Sequence, residues 1–156
     1  MLDLHAQYLS LKEEIDQAIK KVLEKTDFIQ GEEVDLFAQE LADHVGCRYV
    51  IPCANGTDAL QIALMALDLK PGDEVLVPAF TYVASAEVIA LLGLVPVLVD
   101  VDKETFCLTP RQLEKVLTPR TRALIPVHLF GSISPMEPIL RFAQEHNLYV
   151  IEDNAQ

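Results

Sequence analysis

Basic residues are scarce in this 156-residue chain: 12 Lys and Arg stand against 24 Asp and Glu, for a formal net charge of −12. A surface of that sign repels a phosphate polymer unless its bases cluster. Lys12, Lys20, Lys21 and Lys25 do share one helical stretch, but acids interleave them, so they form a solvated face and nucleic acid drops out as an expected partner. Cysteine is sparse too. Cys47, Cys53 and Cys107 are odd in number and form no CxxC pair, so spacing supports neither a disulfide framework nor a metal site, and reduced thiols are expected. The most apolar long stretch, 75–99, is interrupted by Pro78, Glu87, Gly93 and Pro96 and makes a poor membrane span. The start, Met1-Leu2-Asp3-Leu4-His5, lacks the basic cluster and apolar core of a signal peptide, so a cytoplasmic location is expected.

What is present is globular: 51% hydrophobic and 23% charged residues, without low-complexity segments or internal repeats. A domain of this length buries roughly 68 to 70% of the surface its unfolded chain exposes, enough for one core. Leu4, Tyr8, Leu11, Ile15, Ile19 and Val22 step by four and three, the stripe of an amphipathic helix. Val34, Phe37, Leu41 and Val45 repeat the pattern in a second helix that ends at Gly46. These residues, 1–46, are expected to form an N-terminal helical segment. Beyond them β-rich runs at 49–53, 74–77, 96–101, 123–127 and 148–151 alternate with helical stretches at 57–69, 81–92, 110–117 and 136–146. Five nearly continuous apolar strands separated by helices predict an α/β fold, a largely parallel sheet sandwiched by helices. Thr109-Pro110-Arg111-Gln112 reads as a capping box with Pro at the first helical position, and Asn55 as the N-cap of the helix that starts beside Gly56.

Ligands of such sheets collect where strands end and helices begin. Neither GxGxxG nor GxxxxGK[ST] occurs, which excludes the dinucleotide fingerprint and the P-loop. Asn55-Gly56-Thr57 instead offers backbone N–H groups at a helix start, suited to a phosphate, although a plain capped turn explains the segment as well. Asp153 leaves the last strand and requires a partner; a protonated ring nitrogen would serve, and so would capping the next helix. Tyr82 could cover a planar ring or pack in the core. Together a phosphate cradle, an aromatic plane and a carboxylate suit pyridoxal 5'-phosphate, whose ring is an electron sink when its nitrogen stays protonated. The chemistry also requires a lysine. Of the seven, Lys12, Lys20, Lys21, Lys25, Lys70, Lys103 and Lys115, only Lys103 lies near the carboxyl end of a strand, and none follows Asp153.

Six ordered blocks then resemble the DegT/DnrJ/EryC1/StrS family of sugar aminotransferases: Phe28-Ile29-Gln30-Gly31, Asn55 to Leu60, Pro71 to Val75, Pro78 to Tyr82, Pro126 to Gly131 and Ile151 to Gln156. The resemblance implies the type I aminotransferase fold, with 47–156 the first part of its large cofactor-binding domain. It further implies that the backbone of Gly56 and Thr57 holds the cofactor phosphate, that Tyr82 stacks on the ring and that Asp153 pairs with the pyridine nitrogen. Ala155 would press on the other ring face, and Gln156 would bind the phenolic oxygen. The family's Schiff-base lysine comes a few tens of residues after the Asp-x-Ala-Gln block, so this chain is expected to be an incomplete, inactive part of the enzyme. Cys53 to Leu67 is similar to the branch that aminates a UDP-linked 2-acetamido-3-oxo-glucuronate. Where many relatives carry Gly-Gln-x-Ala-Asp-Met, this chain has Gly131-Ser132-Ile133-Ser134-Pro135-Met136, so His128 is read as structural or functional with equal weight.

The implied activity is transfer of an amino group from glutamate to a keto sugar nucleotide, UDP- or dTDP-linked, for surface polysaccharide or deoxyaminosugar synthesis. Family resemblance adds a homodimer, with the first helix as a docking element. Two alternatives stand beside it: a non-catalytic binding or regulatory domain, and a sugar dehydratase of the same family with His in place of the lysine.

Overall fold

The computed structural model describes residues 3–156. The chain divides into two compact units, one ending at Pro52 and the other Cys53–Gln156.

The first unit is helical. Asp3 opens α1 (Leu4–Lys25) by accepting the Ala6 N–H at 3.0 Å, and Thr26 closes it in a left-handed conformation. No residue of α1 is buried, so its apolar stripe faces outward in this chain. The second helix, α2 (Glu32–Val45), ends as expected at Gly46, whose φ of +72° suits glycine. Lys21–Glu33 and Lys25–Glu32 ion pairs, each 2.7 Å, link the two helices; on a surface they contribute little.

The second unit has the expected α/β architecture. In chain order it comprises α3 (Gly56–Ala66), β1 (Glu74–Pro78), α4 (Ala84–Leu91), β2 (Val95–Val99), α5 (Pro110–Leu113), β3 (Thr121–Leu124), a 3-10 turn at Leu129–Gly131, α6 (Met136–Glu145) and β4 (Tyr149–Val150). All pairings are parallel, in the order β2-β1-β3-β4. The period of two along each strand divides the core into two layers. Val75, Val77, Ala123 and Ile125 face Leu60 and Leu64 of α3 and Val88 and Ile89 of α4. Leu76, Val99 and Leu124 face Leu113 of α5 and Ile139 and Phe142 of α6. Central β1 is buried along its whole length, which explains the apolar run 75–78.

Two expectations are corrected. Residues 49–53 form no strand: Tyr49 and Ile51 are each 75% exposed and the segment has no ladder partner, so four strands replace five among the described residues. A short β-rich run becomes a strand only where a neighbour supplies hydrogen bonds. The capping box at Thr109 also fails to form. Thr109 is the N-cap and Pro110 takes the first turn, but the Thr109 hydroxyl lies against the Gln112 side-chain oxygen, while the Gln112 N–H donates to the Thr109 carbonyl at 3.0 Å. The Thr109 hydroxyl is engaged by the Gln112 side chain and makes no bond to a backbone N–H of the first turn.

The amino end of β1 carries a buried acid. Glu74 is 3% exposed and accepts from Arg120 Nη2 at 2.6 Å, Arg120 Nε at 2.9 Å and the Thr118 hydroxyl. Hydrogen bonding from Thr118 first, and from Arg120 next, holds its carboxyl below the ordinary value of 4.5.

Candidate functional site

Sheet order 2-1-3-4 means that the chain leaves β1 toward β2 on one side and reaches β3 on the other. The carboxyl ends of β1 and β3 therefore flank a topological switch point. A cavity of about 520 Å³ opens at this end of the sheet, within the usual range for small-ligand sites. Its wall includes Gly56 and Thr57 of α3, Tyr82 after β1, and Glu152, Asp153 and Ala155 after β4.

Asn55 positions the helix start. Its backbone is extended, its Oδ1 accepts the Asp58 N–H at 2.9 Å, and its Nδ2 donates to Asp58 Oδ2 at 3.0 Å. The Ala59 N–H turns back to the Asn55 carbonyl at 3.0 Å. Among the described residues the N–H groups of Gly56 and Thr57 take no protein acceptor, and they stand at the positive end of the α3 dipole. A Cβ on Gly56 would meet nothing within 4 Å, so glycine here keeps space open and relieves no clash.

The sheet register continues beyond its formal strands to hold Asp153. Val127 and Asp153 form a parallel bridge: the Asp153 N–H donates to the Pro126 carbonyl at 2.9 Å, and the Asp153 carbonyl accepts the His128 N–H at 3.2 Å. The half-buried carboxylate accepts at Oδ2 from Ser85 Oγ, 2.9 Å, and at Oδ1 from the Ala155 N–H, 3.1 Å. Tyr82 is 75% exposed on the cavity wall, so it is not a core residue. One cavity thus gathers Gly56, Thr57, Tyr82, Asp153 and Ala155. Gln156 is the exception: it lies outside the cavity lining, and its side-chain oxygen accepts the Phe130 N–H.

His128 has a defined place. It is buried, its Nδ1 accepts the Ser134 N–H at 3.1 Å, and its Nε2 lies 3.1 Å from Glu152 Oε2. The donor on Nδ1 assigns the proton to Nε2, which then donates to Glu152. The substituted loop 131–136 therefore supplies a backbone contact to this histidine, and His128 braces a carboxylate on the cavity wall. Lys103 is not brought to the cavity; it lines a separate hollow with Phe80 and Phe106.

Two participants escaped the sequence reading. Ser85 had no local signal, because its partner lies 68 residues away. Glu152 stood within the block Ile151 to Gln156, but its tie to His128 depends on how β3 and β4 align. The cavity brings together open backbone N–H groups at the positive end of α3, an exposed aromatic face and a hydrogen-bonded carboxylate.

Known proteins share this fold. Over 155 residues the chain is 50% identical to the UDP-2-acetamido-2-deoxy-3-oxo-D-glucuronate aminotransferase of Pseudomonas aeruginosa, covering 99% of this chain and 43% of that protein. The crystal structure of S. venezuelae DesV superposes with a TM-score of 0.95 at 41% identity, over 99% of this chain and 42% of that one. NtdA from Bacillus subtilis, solved with bound cofactor PMP, matches with a TM-score of 0.88 at 39% identity, over 92% of this chain and 33% of that one. The chain spans less than half the length of the curated relatives it matches. The model of the DegT/DnrJ/EryC1/StrS aminotransferase family matches residues 9–156, and the chain belongs to that family.

Proposed function

We propose that the protein carrying this chain is a pyridoxal-phosphate-dependent aminotransferase that moves an amino group from glutamate to a keto sugar nucleotide. The observation that carries the reading is the doubly held Asp153 carboxylate on a cavity that the α3 N-terminus also lines. The residues present fit the cofactor: two N–H groups suit its phosphate, Tyr82 offers a ring face, and Asp153 is an acceptor for a protonated pyridine nitrogen.

When bound, pyridoxal phosphate supplies an electron sink for charge that develops at the substrate carbon. Gly56 and Thr57 bind its phosphate through their backbone. Tyr82 and Ala155, both on the cavity wall, would confine the ring. Asp153 holds the proton on the ring nitrogen, the condition under which the ring accepts electrons well. Gln156, whose side-chain oxygen accepts the Phe130 N–H, would donate to the phenolic oxygen through its Nε2. No lysine is among the residues that line the cavity.

A UDP-linked 3-keto sugar acid is the proposed acceptor, on the strength of the 50% identity to the Pseudomonas enzyme. The described residues up to Gly46 serve as a helical segment and 47–156 as the first part of the large cofactor domain. The exposed apolar stripe of α1 supports a homodimer. A cytoplasmic site of action follows from the sugar-nucleotide substrate; no helix among the described residues is long and apolar enough to cross a membrane.

The full-length protein is tested by absorbance titration with pyridoxal phosphate, then with glutamate. Binding followed by a glutamate-dependent spectral shift is expected. Absence of binding removes the cofactor, while binding without a response to glutamate favours the dehydratase alternative.

A further inference from the structure

Ser85 is fully buried in the first turn of α4, and its hydroxyl is committed to a distant partner. A serine on a helix has a local option, bonding back to a carbonyl of the preceding turn. Ser85 instead donates to Asp153 Oδ2 at 2.9 Å, while its own backbone N–H donates to the Tyr82 carbonyl at 3.4 Å. One residue therefore ties the ring-facing carboxylate to the segment that presents the aromatic plane.

The two donors on Asp153 are complementary. Ala155 N–H takes Oδ1 and Ser85 Oγ takes Oδ2, so each oxygen has one fixed partner and retains a lone pair. With only the Ala155 contact, the carboxylate could swing about its Cβ–Cγ bond. With both, its plane is set before any ligand arrives, and binding need not order it. The flanking Ala84 and Ala86 leave the hydroxyl as the polar group at this point of α4, directed at the acid.

We infer that Ser85 is a positioning residue for the cofactor's ring nitrogen, acting through Asp153 and without touching the cofactor itself. The inference rests on the pyridoxal phosphate reading above. Its test compares pyridoxal phosphate with 1-deazapyridoxal phosphate, in which a C–H replaces the ring nitrogen and no proton can be shared with Asp153. Dissociation constants for both are measured by absorbance or fluorescence titration on the full-length wild type and on Ser85→Ala.

Loss of a hydrogen bond to a charged group predicts about ten-fold weaker binding of pyridoxal phosphate by Ser85→Ala, and less than about two-fold for the deaza compound. Ser85→Thr, which keeps the hydroxyl, should recover most of the difference. An unfolded fraction weakens both ligands alike and cancels in their ratio. Equal losses for the two compounds, or no loss for pyridoxal phosphate, would overturn the positioning role while leaving the cofactor in place. A wild type that binds neither compound overturns the cofactor reading itself, and this inference with it.

Discussion

Glu74 and Arg120 meet at 2.6 Å at the amino end of β1, with the carboxylate 3% exposed and the guanidinium mostly in solvent. The pair lies at the opposite end of the sheet from the cavity, so its chemistry bears on stability and not on the site. Because the folded carboxyl titrates below its ordinary value of 4.5, the unfolded chain binds the proton more readily. The stabilisation is therefore complete above that value and lost as pH falls through the lowered folded value. Thermal melts of the full-length protein should decline with acidification in this range, and Glu74→Gln should flatten the decline. At pH 7 the same variant should cost about 1 to 3 kcal/mol, the penalty for disrupting hydrogen bonds to a charged group. An unchanged pH profile in the variant would assign acid sensitivity to other groups.

Asn55→Ala removes the acceptor for the Asp58 N–H and the reciprocal contact to Asp58 Oδ2. The expected loss is about 1 kcal/mol of stability, accompanied by weaker binding of pyridoxal phosphate because the first turn of α3 is no longer held. Asn55→Asp keeps an acceptor for the Asp58 N–H but sets a second carboxylate against Asp58 Oδ2, so it should recover only part of the stability, and its charge should weaken phosphate binding. Melting curves and cofactor titrations separate the two effects.

Asp153→Ala in the full-length protein should reduce turnover by roughly 10²- to 10³-fold, the scale of removing one preorganised electrostatic partner. Its backbone bridge to Val127 survives the substitution, so circular dichroism should remain close to wild type. Normal turnover would remove Asp153 from its proposed role.

The outward stripe of α1 is tested by charge. Ile19→Glu and Leu23→Glu replace exposed apolar side chains, so neither should damage a core. If the stripe docks a second copy, the double variant should shift the full-length protein toward monomer in sedimentation velocity. An intact dimer would move the interface elsewhere.

Local features of the fold were legible in the sequence. Asn55 caps α3 through a contact three residues away, Gly46 ends α2, and the buried run of β1 was identified almost to the residue. Short-range chemistry also misled. Tyr49 and Ile51 have strand-forming side chains but no neighbouring strand, and Thr109 has the right spacing to Gln112 but turns its hydroxyl to the Gln112 side chain and not to a backbone donor. In both cases composition was right and the expected partner was not engaged.

The same division runs through the site. Gly56, Thr57, Tyr82, Asp153 and Ala155 were named from their positions after strands and from family resemblance, and they do line one cavity. The hydroxyl on Asp153 and the imidazole on Glu152 could not be read that way, since Ser85 and His128 reach partners 68 and 24 residues distant. The sequence by itself determined the helix and strand periodicity, the caps and the residue types at the strand ends, because these depend on neighbours within a turn or two. Only the tertiary structure decided which side chains meet, because parallel strands bring together segments that are remote along the chain, and the register between β3 and β4 sets where Asp153 points.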